Sequence, residues 1–256
     1  MLNSSAKDNT FTNKKVYICR KIFFTIRKMV ETNSPIIRLS GITKFFQDGK
    51  IHQNRVLRGI ELAVGRGEFV AVRGASGSGK TTLLSILGTL LMPDSGSYLF
   101  DGVEMNTMDV DHSVVRNRHI GFMFQDHRLL PQFTALENIL LPVLAYRQKT
   151  DEEDTVYAHR LMELTGVEGI AVQYPVTLSG GEAARIALCR ALIMKPLLLL
   201  ADEPTGQLDA ENSRKTALLL SEINQSLHTT IVMVTHSDEM ATGAHRIITL
   251  KEGLLA

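Results

Sequence analysis

Short apolar runs of β character alternate with longer amphipathic stretches along most of the chain. Between Ile36 and Val72 three β-like runs, residues 36–39, 59–64 and 68–72, are separated by polar, glycine-containing turns. That pattern predicts a small β-rich, antiparallel layer at the N-terminal side. Further β-like runs occupy residues 97–100, 120–124, 197–201, 230–235 and 246–250, and helical periodicity runs through 134–145, 152–165, 180–194 and 210–227. Strands alternating with helices at this spacing predict an α/β fold with a mainly parallel core sheet. Residues 126–178 contain no good strand, which predicts a helical subdomain inserted into that layout.

Composition changes this picture little. A chain of 256 residues with 44% apolar and 21% charged residues suits one large domain, or one domain with a subdomain. The net charge of +1 argues against a dedicated nucleic-acid binder. The apolar stretches at 83–92 and 186–200 are too short, or too broken by Arg190, Lys195 and Pro196, to span a bilayer. Cys19 and Cys189 lie far apart and form no zinc spacing, which favours a reduced, cytosolic setting over a disulfide framework.

Charge is uneven at one end. Residues 1–28 hold seven Lys and Arg against the single acid Asp8, interleaved with Val16, Ile18, Ile22, Phe23, Phe24 and Ile26. Residues 1–34 thus read as a basic extension, open to three interpretations: a cationic membrane-surface segment, a disordered tail, or sequence upstream of a translation start at Met29. The start at Met29, shortly before the run at Ile36, is preferred. A cleaved secretory signal fits worst, because Thr25 and Arg27 interrupt a short apolar run.

The strongest chemical signal is GASGSGKT, from Gly74 to Thr81, entered by the apolar run Phe69, Val70, Ala71 and Val72 and left by a helix-ready run at 82–87. In that context Gly74, Ala75, Ser76, Gly77, Ser78 and Gly79 form a phosphate-binding loop whose backbone N–H groups face phosphate oxygens. Lys80 reaches the β- and γ-phosphates of a nucleotide, Thr81 offers a hydroxyl to Mg²⁺, and Thr82 continues into a helix whose positive dipole end adds to the site.

A second signal is the apolar run 197–201 ending in Asp202 and Glu203. An acidic pair after a buried strand is common in loops, but beside a phosphate loop Asp202 suits the Mg²⁺ shell and Glu203 suits a general base for water. A third is LSGGE, from Leu178 to Glu182. Ser179 and Glu182 match a helix capping box, which alone requires nothing more than a helix start. The consecutive Gly180 and Gly181 cost helix propensity, and they leave bare N–H groups suited to a phosphate.

Together with a histidine after a strand, His236, these motifs resemble the ATP-binding subunits of ABC transporters, in the family's order and over residues 36 to about 252. The resemblance implies an ABC ATPase domain over residues 35–256, with the helical subdomain at about 126–178. It implies ATP and Mg²⁺ as ligands and a homodimer in which each ATP lies between the phosphate loop of one subunit and the LSGGE segment of the other. It also implies separate integral membrane subunits and a place on the cytoplasmic face of the bacterial inner membrane. Residue by residue, Phe46 matches the adenine-stacking aromatic, Gln125 the glutamine that senses Mg²⁺ and water, Asp209 the aspartate of the D-loop, and His236 the histidine that contacts the γ-phosphate. Where the family continues after LSGGE with polar residues, Ala183 and Ala184 stand here, so fewer polar groups are expected near the opposite ATP.

FQDHRLLPQFTALENILLPVL, residues 124–144, most resembles the lipoprotein-releasing ATPases of Gram-negative bacteria (LolD type). The polar stretch QDGKIHQNRVL, residues 47–57, resembles the same group and the macrolide-efflux ATPases. The division-site ATPase FtsE shares FQDH but not TALEN. The resemblance thus implies lipoprotein release, with macrolide or peptide efflux and division-site regulation as alternatives. It further implies that the helical subdomain docks a cytosolic helix of the membrane subunit, with Ala135 and Glu137 at that contact.

Overall fold

The structure is a computed structural model and describes residues 34–48, 52–206 and 210–256. The basic N-terminal segment, with Cys19 and Met29, and Asp209 lie outside the described residues.

Strands β1 (Ile37–Asp48) and β2 (His52–Val64) form an antiparallel hairpin, joined by β4 (Ser95–Phe100) and β5 (Val103–Glu104) in the order β2-β1-β4-β5. Sequence reading placed only residues 36–39 and 59–64 in strands and treated 47–57 as a polar insert. In the structure Gln47 and Asp48 end β1, and 52–57 begin β2, with Phe45 opposite Arg55 and Phe46 opposite Asn54. Phe46, Gln47, Asn54 and Arg55 are exposed, so this stretch gives no alternating apolar signal.

The second sheet has the order β10-β9-β3-β8-β7-β6, from β3 (Phe69–Arg73), β6 (Ile120–Met123), β7 (Leu198–Asp202), β8 (Thr230–Thr235), β9 (Arg246–Lys251) and β10 (Leu254–Leu255). All pairings from β6 to β9 are parallel, and β10 turns back antiparallel. A parallel sheet is covered on both faces, so its strands are apolar throughout and their side chains alternate between two cores. Phe69, Ala71, Leu199, Ala201, Ile231 and Met233 face one core. Val70, Val72, Leu198, Leu200, Val232 and Val234 face the other, which they share with the antiparallel sheet and with α1 (Lys80–Leu87).

The first core is closed by helices α3 (Ala135–Arg147), α4 (Glu152–Leu164), α5 (Gly180–Leu192) and α6 (Ala210–Leu227). Thr134, Asp151 and Ser179 start α3, α4 and α5 with capping boxes. Pro142 lies inside α3, and its carbonyl accepts a hydrogen bond from Asn117 Nδ2 at 3.0 Å. Two helices have no counterpart in the sequence reading. In α2 (His112–His119) only Val115 is buried, and α7 (Asp238–Ala241) is a single turn, so neither carries a readable apolar stripe. No described helix is long and apolar enough to cross a membrane.

Candidate functional site

Strands β3, β8 and β7 are neighbours, and each ends where a motif begins. Their carboxyl ends deliver the loop at Gly74, His236 and Glu203 to one crevice, the place where open α/β sheets bind ligands.

At the loop, Gly79 serves as N-cap of α1 at φ 102°, a left-handed conformation suited to glycine. A Cβ there would stand 3.0 Å from Val56 Cγ1 and 3.1 Å from Leu57 Cδ2, so the β2 arm packs directly over the helix start. At Gly74 a Cβ would meet Leu250 O at 2.4 Å, which demands glycine by crowding. Ala75, Ser76 and Gly77 form the exposed tip, and Thr82 is half-buried in α1. Lys80 is buried and folds back over the loop, its Nζ donating to Gly74 O at 2.8 Å and Ala75 O at 3.1 Å. The buried Ser78 hydroxyl has no hydrogen-bond partner among the described residues, a donor suited to a phosphate oxygen.

Thr81 Oγ1 donates to Asp202 Oδ1 at 3.4 Å. Burial pushes the Asp202 carboxyl above its ordinary value, against the lowering effect of the Thr81 hydrogen bond. Two hard oxygen donors converge there, one a carboxylate whose charge is poorly solvated, and that donor set fits Mg²⁺.

Glu203 follows at φ 45°, and its N–H donates to Val234 O at 3.0 Å, turning the chain so that its carboxylate enters the crevice. Oε2 accepts from the His236 backbone at 3.3 Å and lies 2.7 Å from His236 Nδ1, while Oε1 lies 3.8 Å from Lys80 Nζ. The structure thereby brings Lys80, Thr81, Asp202, Glu203 and His236 together. Gln125, just past β6, is exposed and packs against Gly206, where a Cβ would come within 2.8 Å of its Nε2. Phe46 is 43% exposed on the β1 arm, with Lys44 Nζ 5.9 Å from its ring centroid, so a face remains open for stacking.

The LSGGE segment forms the start of α5. Ser179 Oγ accepts from Glu182 N at 3.3 Å, and Glu182 Oε2 accepts from Ser179 N at 2.8 Å and from Ser179 Oγ at 2.6 Å. The Ser179 hydroxyl holds the Glu182 carboxyl below its usual value. The box uses the N–H groups of Ser179 and Glu182 and not those of Gly180 and Gly181. Gly180 is exposed, whereas Gly181 is buried, and a Cβ on it would lie 3.1 Å from Asn212 Oδ1. One expectation is corrected here: Ala184 is fully buried in the core, so that position does not subtract a polar group from the nucleotide side.

Beyond the crevice, Arg116, Phe122, Phe124, Arg128, Arg190 and Met194 help line a cleft of about 480 Å³ next to α3. Phe122 and Phe124 stack at 5.3 Å, and the Arg128 guanidinium lies 4.2 Å from the Phe124 ring. His127 and Arg128 take left-handed backbone conformations, and Arg190 of α5 donates to both their carbonyls, to Arg128 O at 2.6 Å. That guanidinium ties the LSGGE helix to the segment after Gln125. Sequence reading assigned these arginines no role, because isolated basic residues, whether on a polar stretch like Arg128 or interrupting an apolar one like Arg190, carry no periodic signal. Of the two residues expected at the membrane-subunit contact, Ala135 is fully buried and offers no surface, whereas Glu137 is exposed and accepts from Thr134 N at 2.7 Å as part of the α3 cap.

The ABC transporter family model matches residues 57–206. The lipoprotein-releasing system ATP-binding protein LolD of Shewanella frigidimarina is 41% identical over 89% of this chain and 95% of its own length. The macrolide export ATP-binding/permease protein MacB of Rhodopirellula baltica is 42% identical over 86% of this chain but only 32% of its own. A solved dimeric ATP-binding cassette, in a post-hydrolysis state bound to ADP and Pi, superposes with a TM-score of 0.78 at 37% identity, covering 86% of this chain and 96% of that one. Fold, crevice and relatives agree: the chain belongs to the ABC transporter family and is one of its ATP-hydrolysing cassettes.

Proposed function

We propose that this cassette powers the release of lipoproteins from the inner membrane toward the outer membrane, working as a peripheral homodimer beneath separate membrane subunits. The carrying observation is that 41% identity to a lipoprotein-releasing ATPase extends over 95% of that relative, whereas the macrolide protein is matched over a third of its length.

In this reading ATP lies between two copies. Phe46 stacks on adenine, the loop from Gly74 to Thr82 holds the phosphates, and Ser179, Gly180, Gly181 and Glu182 of the second copy close over them, with Asp209 at the interface. Thr81, Asp202 and Gln125 would hold Mg²⁺, which would supply positive charge against the phosphates. Glu203 takes a proton from water as its oxygen bonds to the γ-phosphorus and the bond to the bridging oxygen breaks, releasing ADP. His236, already in contact with Glu203, steadies the γ-phosphate. The cleft lined by Phe124, Arg128 and Met194, in place of the buried Ala135, and the exposed Glu137 receive the membrane subunit.

The test is ATP-dependent release of a labelled lipoprotein from inner-membrane vesicles that contain the complex. Release lost with Lys80→Ala supports the reading. Normal release without this ATPase, alongside a defect in drug efflux or in septation, assigns the chain to the corresponding alternative.

A further inference from the structure

The single-turn helix α7 begins two residues after His236 and is held from outside at both of its first residues. Arg73, the last residue of β3 and the root of the phosphate loop, places Nη1 2.6 Å from Asp238 Oδ1. Arg214 of α6 pairs with Glu239. Below them Met240 and Ala241 are buried. The turn between is short and self-bonded: Ser237 N donates to Thr235 Oγ1 at 3.0 Å, and Ser237 Oγ accepts from Met240 N at 3.4 Å. His236 therefore sits on a short, self-bonded turn with one outer tether to the phosphate loop and one to α6.

We propose that Arg73 and Asp238 are positioning residues for ATP hydrolysis, a strut between the phosphate-loop root and the turn that carries His236. Two observations separate this from a general stabilising role. The side chains are 36% and 79% exposed, and exposed pairs add little to global stability. The strut nevertheless joins the two loops that must keep their spacing around one phosphate: Arg73 adjoins Gly74, and Asp238 adjoins the turn whose histidine touches Glu203. Small misplacements of such groups act on the chemical step more than on substrate binding. Arg73 and Thr235 are register partners across β3 and β8, so the backbone already sets the strand spacing. The side-chain pair extends that spacing past the strand ends.

The experiment measures steady-state ATP hydrolysis by the full-length chain, in complex with its co-purified membrane subunits, for Arg73→Ala, Asp238→Ala, the double variant, Arg73→Lys, and the exchange Arg73→Glu with Asp238→Arg. The expected result is kcat lowered about three- to tenfold in each alanine variant, with KM for ATP and Tm close to the parent. The double variant is no slower than either single one, since both remove one interaction. The exchange and Arg73→Lys recover most of the rate. Parental kcat in both single variants, multiplying losses in the double variant, or losses confined to KM or Tm overturns the proposal. It rests on Glu203 and His236 as the reacting groups, and unimpaired turnover in Glu203→Gln defeats that assignment separately, whatever Arg73 does.

Discussion

His236 Nδ1 stands 2.7 Å from Glu203 Oε2 across 33 residues of sequence. The contact follows from register. Asp202 pairs with Val234 across the parallel strands β7 and β8, so the residues just past each strand end emerge side by side. Lys80 closes the third side, 3.8 Å from Glu203 Oε1, so the three groups converge in one crevice.

Lys80 is held by the carbonyls of Gly74 and Ala75, a pre-aimed cation at a helix start. Replacing it with alanine is expected to weaken ATP binding about 10- to 100-fold, in line with loss of a charge-assisted hydrogen bond. Titration with a fluorescent nucleotide reads this directly, and unchanged affinity contradicts the assignment.

Asp202 gives an opposed effect on stability and activity. Burial raises its pKa, so the folded protein holds the proton more readily than the unfolded chain. The stability linked to this group is present below the ordinary carboxylate range and is lost as pH rises through the raised value. At neutral pH the ionised carboxylate therefore costs stability in the nucleotide-free protein, modestly because the site is partly solvated. Asp202→Asn is expected to raise Tm at pH 7 without nucleotide, to lose that advantage in acid, and to abolish Mg²⁺-dependent hydrolysis. Thermal melts at the two pH values, with hydrolysis assayed in parallel, check it.

Ser179 has a structural duty alongside any role at the nucleotide. Ser179→Ala removes the cap of α5 and is expected to cost about 1 kcal/mol, roughly 2–4 °C in Tm. Because the Ser179 hydroxyl holds Glu182 below its usual value, the stability of this box exists above the ordinary carboxylate range and is lost as pH falls through the lowered value. The Tm difference between parent and variant is therefore expected to shrink in acid, which melting curves over that range will show.

The parallel sheet, α1, α5 and the loop at Gly74 were legible in the sequence because buried strands are continuously apolar and the loop has fixed spacing. β8 and α6 were read with the boundaries found. What escaped was held by polar contacts. The arms of the β1–β2 hairpin, the mostly half-buried, polar α2 and the Arg190 clamp on His127 and Arg128 lack apolar periodicity, and their partners are distant in sequence. The reading of Ala184 failed for the opposite reason: local motif comparison placed it by its neighbours, whereas the turn of α5 points it into the core.

The most direct measurement is ATP hydrolysis and self-association of Glu203→Gln. The glutamine keeps the shape of the side chain and removes its basicity, so hydrolysis is expected to fall about 10²- to 10⁴-fold while ATP binding persists. With ATP the variant is expected to sediment as a dimer, and without ATP as a monomer. Hydrolysis at the parental rate, or no ATP-dependent dimer, contradicts the site described here.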